Sequence, residues 1–242
     1  MKRRYPSEHL QREILQTYSK PFSFKRAAGR LTFETKIVSV DHVLPEPAFS
    51  VLREVAERQV QTDRVHIPIH KRGATISYHE LHYCAPEVIA FYLSPELHAF
   101  CSNVFGERVQ PTPLSDLSSC SLLVYDRPND HIAWHYDLDF YRGRHFTALL
   151  SLVNTDAAGT GVSSANLVVL SEGRETVIST PPNTLVLFEG ADVYHSVTPL
   201  QERERRVILS MTFCTDPSTT ALQTLERRVK DVAYFGLRAL WT

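Results

Sequence analysis

The segment D-H-I-A-W-H-Y-D, from Asp130 to Asp137, places His135 two residues before an aspartate. If this segment is a β-strand, the side chains of His135 and Asp137 point to the same face, because strand side chains alternate with a period of two. An imidazole and a carboxylate side by side would supply two of the three ligands of a metal site. We therefore expect a histidine ligand on a later strand, with a cation nearby to hold an anionic cosubstrate.

The third ligand is predicted at His195, in the segment V-Y-H-S-V. Two histidines and one carboxylate that leave positions open on one side are typical of non-haem Fe(II) sites. By itself the H-x-D pattern is common, and a strand histidine paired with Asp137 would look the same. The metal hypothesis therefore depends on features elsewhere in the chain.

Two arginines open the strand that follows His195, in R-R-V-I-L-S-M-T-F. The guanidinium group is a fixed fork of donors that suits a carboxylate. Strand alternation puts Arg206 on one face with Ser210 and Thr212, and Arg205 on the other face with apolar residues. We expect Arg206 to anchor the distal carboxylate of a 2-oxoacid, with Arg205 as the alternative. The competing interpretation is a run of solvated charges.

Composition excludes several classes of partner. The 242 residues suit a single β-barrel or double-sheet domain with helical additions, and the formal net charge of -1 gives no argument for nucleic acid or an anionic membrane. The four cysteines form no CxxC pair and suggest no secreted disulfide framework. Neither a signal peptide nor an apolar run of membrane-spanning length is evident, so we expect a cytoplasmic protein.

The first half of the chain is predicted to be mainly helical. Helical spacing or capping residues mark Ser7 to Tyr18, Pro45 to Val60, Ala85 to Leu93 and Glu96 to Phe105. Ser94 and Pro95 have the residue types preferred at the N-cap and at the first position of the last of these helices. Alternation predicts a strand from Arg30 to Ile37, extending to Val40, and Arg64 to Tyr78 reads as loop with short strands.

The second half is predicted to be a β core. Eight strand-like runs follow at about ten-residue spacing, separated by turn residues: Cys120 to Tyr125, Ile132 to Asp137, Phe146 to Val153, Ala165 to Leu170, Thr176 to Ser179, Thr184 to Phe188, Val193 to Val197 and Arg205 to Cys214. This number of strands fits a double-sheet jelly roll. We expect one domain, mainly β with α, with an N-terminal layer (1–118), a β core (119–216) and a C-terminal helix (217–242).

The H-x-D pair, the distant H-x-x-x-P and the arginine that begins the next strand resemble the Fe(II)/2-oxoglutarate-dependent dioxygenases, whose core is the cupin-like double-stranded β-helix. The resemblance covers roughly residues 119–216. It implies bound Fe(II), 2-oxoglutarate and dioxygen, with ascorbate as an accessory reductant. In several members a tyrosine ten residues before the first ligand histidine binds the 2-oxoglutarate carboxylate. That position is Tyr125, for which an ordinary barrel tyrosine is the alternative.

A narrower resemblance involves the radical halogenases and hydroxylases that act on free amino acids, notably lysine. It is carried by C-S-L-L-V-Y-D-R-P-N-D-H-I-A-W-H-Y-D, F-Y-R-G-R-H-F-T-A-L-L, P-P-N-T-L-V-L-F-E-G and H-K-R-G-A-T-I-S-Y. The halogenases replace the carboxylate ligand with glycine, which opens an iron position for chloride. Because this sequence keeps Asp137, the resemblance implies hydroxylation.

A free basic amino acid needs an arginine for its carboxylate and carboxylates for its ammonium groups, because an unpaired buried charge is costly. The candidates for contact with such a substrate are Arg72 for the carboxylate, Asp116 and Asp139 for ammonium groups, Trp134 and Trp241 beside the aliphatic stem or cation, and Ser210 and Thr212 in the pocket wall. A solvated charge is the alternative for Arg72, and core packing for Trp134.

Two other classes of function stay open. A zinc hydrolase uses the same ligand types but leaves Tyr125 and Arg206 unexplained. A non-catalytic β-sandwich binding protein needs no metal at all. The sequence also leaves open a peptidyl or carrier-bound substrate, the carbon attacked, and the oligomeric state, for which a homodimer is one option.

Overall fold

The computed structural model describes residues 6–19, 23–24, 36–58, 64–67 and 71–235. Twelve strands and six helices lie within these ranges. The helices are α1 (Glu8–Tyr18), α2 (Glu46–Arg58), α3 (Tyr78–Cys84), α4 (Pro86–Tyr92), α5 (Pro95–Phe105) and α6 (Ala221–Phe235). The strands are β1 (Ile37–Val40), β2 (Arg64–Ile67), β3 (Lys71–Ile76), β4 (Gln110–Pro111), β5 (Cys120–Tyr125), β6 (His131–His135), β7 (His145–Thr155), β8 (Leu167–Ser171), β9 (Arg174–Ile178), β10 (Leu185–Phe188), β11 (Tyr194–Val197) and β12 (Arg205–Cys214).

The strands form one antiparallel sheet that folds over on itself. Its order is β1-β10-β7-β12-β5-β3-β6-β11-β8-β9, with β2 on β3 and β4 on β12. Strands far apart in this order pack face to face, since Leu167 and Val169 of β8 share an apolar cluster with Val186 and Phe188 of β10. This nearly closed arrangement confirms the predicted jelly-roll core, and β1 to β4 add strands from the first 118 residues.

Strand β12 shows how the sequence divides the inside from the outside. One row of its side chains, Val207, Leu209, Met211 and Phe213, belongs to the main apolar cluster. The same cluster contains buried residues of α2 to α5, among them Phe49, Leu81 and Phe91. The opposite row, Arg206, Ile208, Ser210 and Thr212, lines a cavity inside the fold. The predicted division of this strand into a core face and a cavity face is confirmed.

Side-chain caps fix the ends of several helices. The Ser7 hydroxyl accepts a hydrogen bond from the backbone of Leu10, and Ser94 caps α5 in the same way, as predicted. Helix α3 was not expected from the sequence because it is only seven residues long. Its signal is the capping box formed by Ser77 and Glu80.

Several predicted elements have different limits in the structure. The segment Arg64 to Tyr78, expected to be mostly loop, contributes β3 to the middle of the sheet. Of the strand predicted from Arg30 to Val40, residues 30–35 lie outside the described residues, and the remainder forms β1. Strand β6 ends at His135. Asp137 therefore follows the strand, and the argument from strand alternation was wrong for this residue.

Helix α6 turns its charged side to the protein. Leu222, Leu225 and Val229, which recur at helical spacing and form one apolar face, are 60–64 % exposed, whereas Arg227 and Asp231 are buried. Among the described residues, no helix is long and apolar enough to cross a membrane.

Candidate metal centre and anion pocket

Three side chains from separate parts of the chain converge inside the jelly roll. Strands β6 and β11 pair so that His135 lies opposite His195, and the centroids of the two imidazole rings are 4.2 Å apart. The Oδ1 atom of Asp137 is 3.7 Å from Nε2 of His135 and 3.8 Å from Nε2 of His195. One potential ligand atom from each residue lies within 4.8 Å of the other two. The structure thus brings together the set proposed from the sequence.

Backbone carbonyls orient both histidines. The Nδ1 atom of His135 is 2.8 Å from the carbonyl oxygen of Ala133, and Nδ1 of His195 is 2.8 Å from that of Val193. A proton on each Nδ1 satisfies these carbonyls and leaves the lone pair of each Nε2 facing the shared centre. Such hydrogen bonds fix the tautomer and ring orientation of metal-binding histidines.

The segment after β6 positions the carboxylate of Asp137. Its backbone N–H donates to the carbonyl of Gly190, and its Oδ2 atom accepts a hydrogen bond of 2.6 Å from the Thr147 hydroxyl. A Cβ atom at Gly190 would lie 2.3 Å from that Oδ2 atom. Only a residue without a side chain fits beside Asp137, a requirement that the sequence pattern did not reveal.

The electrostatics of the centre favour an ionised carboxylate. Burial acts to raise the pKa of Asp137, but the neighbouring His195 and His135 and the hydrogen bond from Thr147 outweigh it, and the pKa is lowered. A carboxylate and two neutral imidazoles suit a divalent ion such as Fe(II), and they occupy only one side of it. The three residues therefore fit the iron implied by the resemblance.

A cation and a phenol lie in the same cavity. Arg206 is 1 % exposed, and its Nε and Nη2 atoms have no hydrogen-bond partner among the described residues. Tyr125, opposite it on β5, is equally buried, and within the described part of the chain its hydroxyl also lacks a partner. The guanidinium lies 5.3 Å from the centroid of the tyrosine ring and attracts the phenol without an aligned hydrogen bond. Buried polar groups normally have partners, so these atoms fit an anion that accepts from both residues.

Burial dominates the electrostatics of this pair. It raises the pKa of Tyr125 to about 12, against the opposing effect of Arg206, so the phenol remains a donor at neutral pH. Burial also lowers the pKa of Arg206, although a guanidinium stays charged. The resulting uncompensated positive charge suits a carboxylate.

Arg205 points to the other side of β12. Its Nη2 atom donates to the carbonyl of Ala56 in the last turn of α2, at 3.0 Å. This geometry decides between the two arginines, since only Arg206 reaches the cavity.

One cavity of about 160 Å³ connects these groups. Its walls include His135, Asp137, His195, Tyr125 and Arg206. Of the residues proposed to contact substrate, Asp116, Ser210 and Thr212 also line it.

Asp116 already has partners within the chain. Its Oδ1 atom is 2.9 Å from Nζ of Lys230 on α6, and its Oδ2 atom accepts a hydrogen bond of 2.7 Å from the Tyr141 hydroxyl. Burial acts to raise the pKa of Asp116, but Lys230 and the hydrogen bonds lower it strongly. A substrate ammonium at this position would have to share or replace the contact with Lys230.

Three of the remaining substrate candidates, Arg72, Asp139 and Trp134, do not line the cavity. Arg72 is on the opposite face of β3, with its Nε atom 3.9 Å from a carboxylate oxygen of Asp130. Asp139 is exposed and accepts a hydrogen bond from the backbone of Tyr141. Trp134 stacks on Tyr194, with ring centroids 5.3 Å apart. Trp241 lies outside the described residues.

Sequence reasoning missed three residues of the site. Thr147 and Gly190 act on Asp137 from strands or turns that carry no recognisable motif. Lys71 lines the same cavity as Arg206 and Tyr125. Its signal in the sequence is the H-K-R segment, but only the limits and phase of β3 show that Lys71, and not Arg72, faces the cavity.

No protein-family model and no curated protein matches this chain in sequence. Solved structures match in fold. A prolyl-4-hydroxylase from Pseudomonas putida is 17% identical, with a TM-score of 0.52, over 74% of this chain and 91% of the other. EvdO2 from Micromonospora carbonacea, complexed with 2-oxoglutarate, is 14% identical, with a TM-score of 0.57, over 83% and 96%.

A third match is a prolyl hydroxylase from Trichoplax adhaerens, in complex with a peptide fragment of a hypoxia-inducible factor. It is 16% identical, with a TM-score of 0.54, over 86% of this chain and 90% of the other. The TM-scores show that the fold is shared, and identities this low support no conclusion beyond the fold. The matches confirm the jelly roll, and the chemistry depends on the residues of this chain.

Proposed function

We propose that this protein is an Fe(II)/2-oxoglutarate-dependent oxygenase that hydroxylates an unactivated C–H bond of a free amino acid, with lysine as the first candidate. The observation that carries the proposal is one cavity that contains both His135, Asp137 and His195 and the unpartnered donors of Tyr125 and Arg206. The three ligand candidates account for the metal, and the two donors account for an anionic cosubstrate.

Each part of the cavity has a proposed role. His135, Asp137 and His195 hold Fe(II) through Nε2 and Oδ atoms, and Arg206 and Tyr125 bind the distal carboxylate of 2-oxoglutarate. When bound, iron and 2-oxoglutarate supply the dioxygen-dependent oxidation, which yields succinate and carbon dioxide and which no side chain can perform. The protein holds the ligands in place and restricts water around them.

Retention of the carboxylate favours hydroxylation. The Asp137 side chain fills the space next to Gly190 and is held by Thr147. No room for chloride is created there, in contrast to the glycine that the resembling halogenases carry.

The donor set argues against a zinc hydrolase. A hydrolase of this kind needs a metal and a bound water, and has no use for a deeply buried guanidinium with unpartnered donors. A binding protein without a metal would bury Arg206 at a net cost, because donors of its guanidinium have no partner among the described residues.

The choice of a free amino acid as substrate is supported by two observations. The sequence resembles enzymes that act on free lysine, and the polar residues Asp116, Ser210 and Thr212 line the cavity. A cytoplasmic location and a single-domain organisation, expected from the sequence, belong to the same proposal.

The test is incubation of the protein with Fe(II), 2-oxoglutarate, ascorbate and a mixture of the proteinogenic amino acids. We expect one amino acid to gain the mass of a single oxygen, with succinate formed in step. His135→Ala and Asp137→Ala should each abolish both products. His131→Ala, on the same strand but with its Nδ1 bonded to the carbonyl of Asn129, is the matched control and should retain activity. Undiminished hydroxylation by either ligand variant would reject the proposal.

A further inference from the structure

A buried lysine lies on the inner face of β3. Lys71 is 5 % exposed, and its Nζ atom donates a hydrogen bond of 2.8 Å to the Thr75 hydroxyl. Both residues line the cavity, whereas Arg72 between them in sequence points away. A lysine is seldom buried without an electrostatic reason, because removing its charge from water is costly.

The strand register places Lys71 away from the metal candidates. It pairs with Ile132 on β6, and Ile132 is three residues before His135. With a rise of about 3.3 Å per residue, this separation is about 10 Å along the strand. Lys71 therefore lies beyond direct contact with the metal centre.

The same register brings Lys71 to the Arg206 end of the cavity. A side chain at Gly73, the next inward residue of β3, would meet the Tyr125 ring at 3.8 Å. The Tyr125 ring thus lies over the bare backbone of β3, and Arg206 pairs with Tyr125 on the far side. Lys71, Tyr125 and Arg206 therefore come from three neighbouring strands, β3, β5 and β12, and all three line the cavity.

The carboxylates in the cavity wall contact side chains other than Arg206 and Lys71. Among the described lining residues these are Asp116, which contacts Lys230, and Asp137, which contacts the two histidines. Arg206 and Lys71 are cations of the same cavity wall. Burial lowers the pKa of Lys71 to about 8, so that most of the population is still charged at neutral pH, and a neighbouring anion would favour that state further.

We propose that Lys71 is a second cation of the cosubstrate site and binds, together with Arg206 and Tyr125, the distal carboxylate of the 2-oxoacid. The inference rests on the proposed function. A carboxylate accepts up to about four hydrogen bonds, which is enough for the guanidinium fork, the phenol and the ammonium together. Lys71 selects a dicarboxylate over a shorter 2-oxoacid and takes no part in the oxidation.

The experiment compares two ligands that share the metal-binding end. Binding of 2-oxoglutarate and of pyruvate, which lacks the distal carboxylate, is measured under anaerobic conditions with Fe(II), by the absorption band of the complex. We expect Lys71→Met to raise the dissociation constant of 2-oxoglutarate about ten- to hundredfold, because a hydrogen bond to a charged group contributes about 1.5–3 kcal/mol. The value for pyruvate should not change. Arg72→Met removes a cation from the same strand on the opposite face, and should leave both constants as in the wild type.

A measurement on the unaltered protein covers the case in which Lys71→Met does not fold. Amine labelling followed by mass spectrometry should show that 2-oxoglutarate slows the modification of Lys71 and that pyruvate does not. The exposed Lys36 is the internal control, and its labelling should be unaffected.

The outcomes separate the two proposals. Unchanged 2-oxoglutarate binding by Lys71→Met, or an equal loss of 2-oxoglutarate and pyruvate binding, overturns the role of Lys71 and leaves the proposed function intact. If the Lys71→Met variant does not fold, equal labelling of Lys71 in the wild type with and without 2-oxoglutarate also overturns the role of Lys71. Failure of the wild type to bind 2-oxoglutarate at all overturns the proposed function, and this inference with it.

Discussion

The substitution Gly190→Ala tests how the carboxylate of the candidate metal site is held. The added Cβ atom would lie 2.3 Å from Oδ2, 2.6 Å from Cβ and 2.8 Å from Cγ of Asp137. Ordinary contacts between such atoms are about 3.5 Å, so the side chain must retreat by about 1 Å. The retreat would disturb the hydrogen bond of 2.6 Å that the same Oδ2 atom accepts from Thr147.

Two consequences are expected from this displacement. Overpacking at such a site costs about 1–3 kcal/mol of folding free energy. The affinity for Fe(II) should fall by about tenfold to a hundredfold or more, since even disturbing the hydrogen bonds around a ligand has effects of that size. Urea denaturation of the metal-free protein gives the first quantity, and anaerobic titration with Fe(II) gives the second.

The control is Gly173→Ala, in the turn between β8 and β9. Gly173 has a φ angle of +74° and open space around it, so alanine there is strained without touching the site. We expect a loss of about 1–2 kcal/mol in stability and no change in metal affinity. If Gly190→Ala binds Fe(II) as tightly as the wild type, the contact between Gly190 and Asp137 does not position the ligand, and the reasoning is refuted.

Two further predictions concern buried polar groups. Tyr125→Phe should stabilise the ligand-free protein by about 1–3 kcal/mol in urea denaturation, because it removes a buried hydroxyl that has no partner among the described residues. The same change should weaken 2-oxoglutarate binding. A loss of stability would show that the hydroxyl is already hydrogen-bonded. Burial lowers the pKa of His82 to about 4, so the folded state stays neutral while the unfolded state binds a proton below pH 6.5. The contribution of neutral His82 to the free energy of unfolding, up to about 3 kcal/mol, is complete above pH 6.5 and is lost as the pH falls towards 4. Urea midpoints measured across this range should decline less steeply in His82→Gln than in the wild type. The matched control is His9→Gln at an exposed position, which should decline as the wild type does.

The alternation of side chains along β12 shows what the local sequence pattern can predict. The row Val207, Leu209 and Met211 is apolar and the row beginning with Arg206 is mixed, so the sequence predicts which face meets the core. Period-two alternation is a property of the strand itself, and it holds wherever the strand is placed. The eight strands of the second half were predicted from strand-like runs between turn residues, and their observed limits differ by a few residues.

His135 and Asp137 lie close together as expected, but the reason given from the sequence pattern was wrong. Both were expected on one strand, but β6 ends at His135, and Asp137 is placed by a backbone hydrogen bond to Gly190. The approach of the two residues depends on a turn more than fifty positions away in sequence. No local rule contains that contact.

The substrate candidates show the limit more sharply. In H-K-R the sequence offers two adjacent cations, and which of them faces the cavity depends on the phase of a strand whose limits were not predictable. Asp116 does line the cavity, but its carboxylate is paired with Lys230 of α6. Helix α6 itself buries Arg227 and Asp231 and exposes its apolar stripe, contrary to the usual reading of amphipathic spacing.

The sequence alone determined the class of fold, the residue types of the metal set and the presence of an arginine that begins the strand after His195. These follow from periodicity and from ligand chemistry, both of which are local properties. Only the tertiary structure decided that Arg206 and not Arg205 enters the cavity, that Gly190 makes room for Asp137, and that Lys71 and not Arg72 lines the cavity. Those facts depend on which strands become neighbours and in what register, and the register is set by packing across the whole sheet.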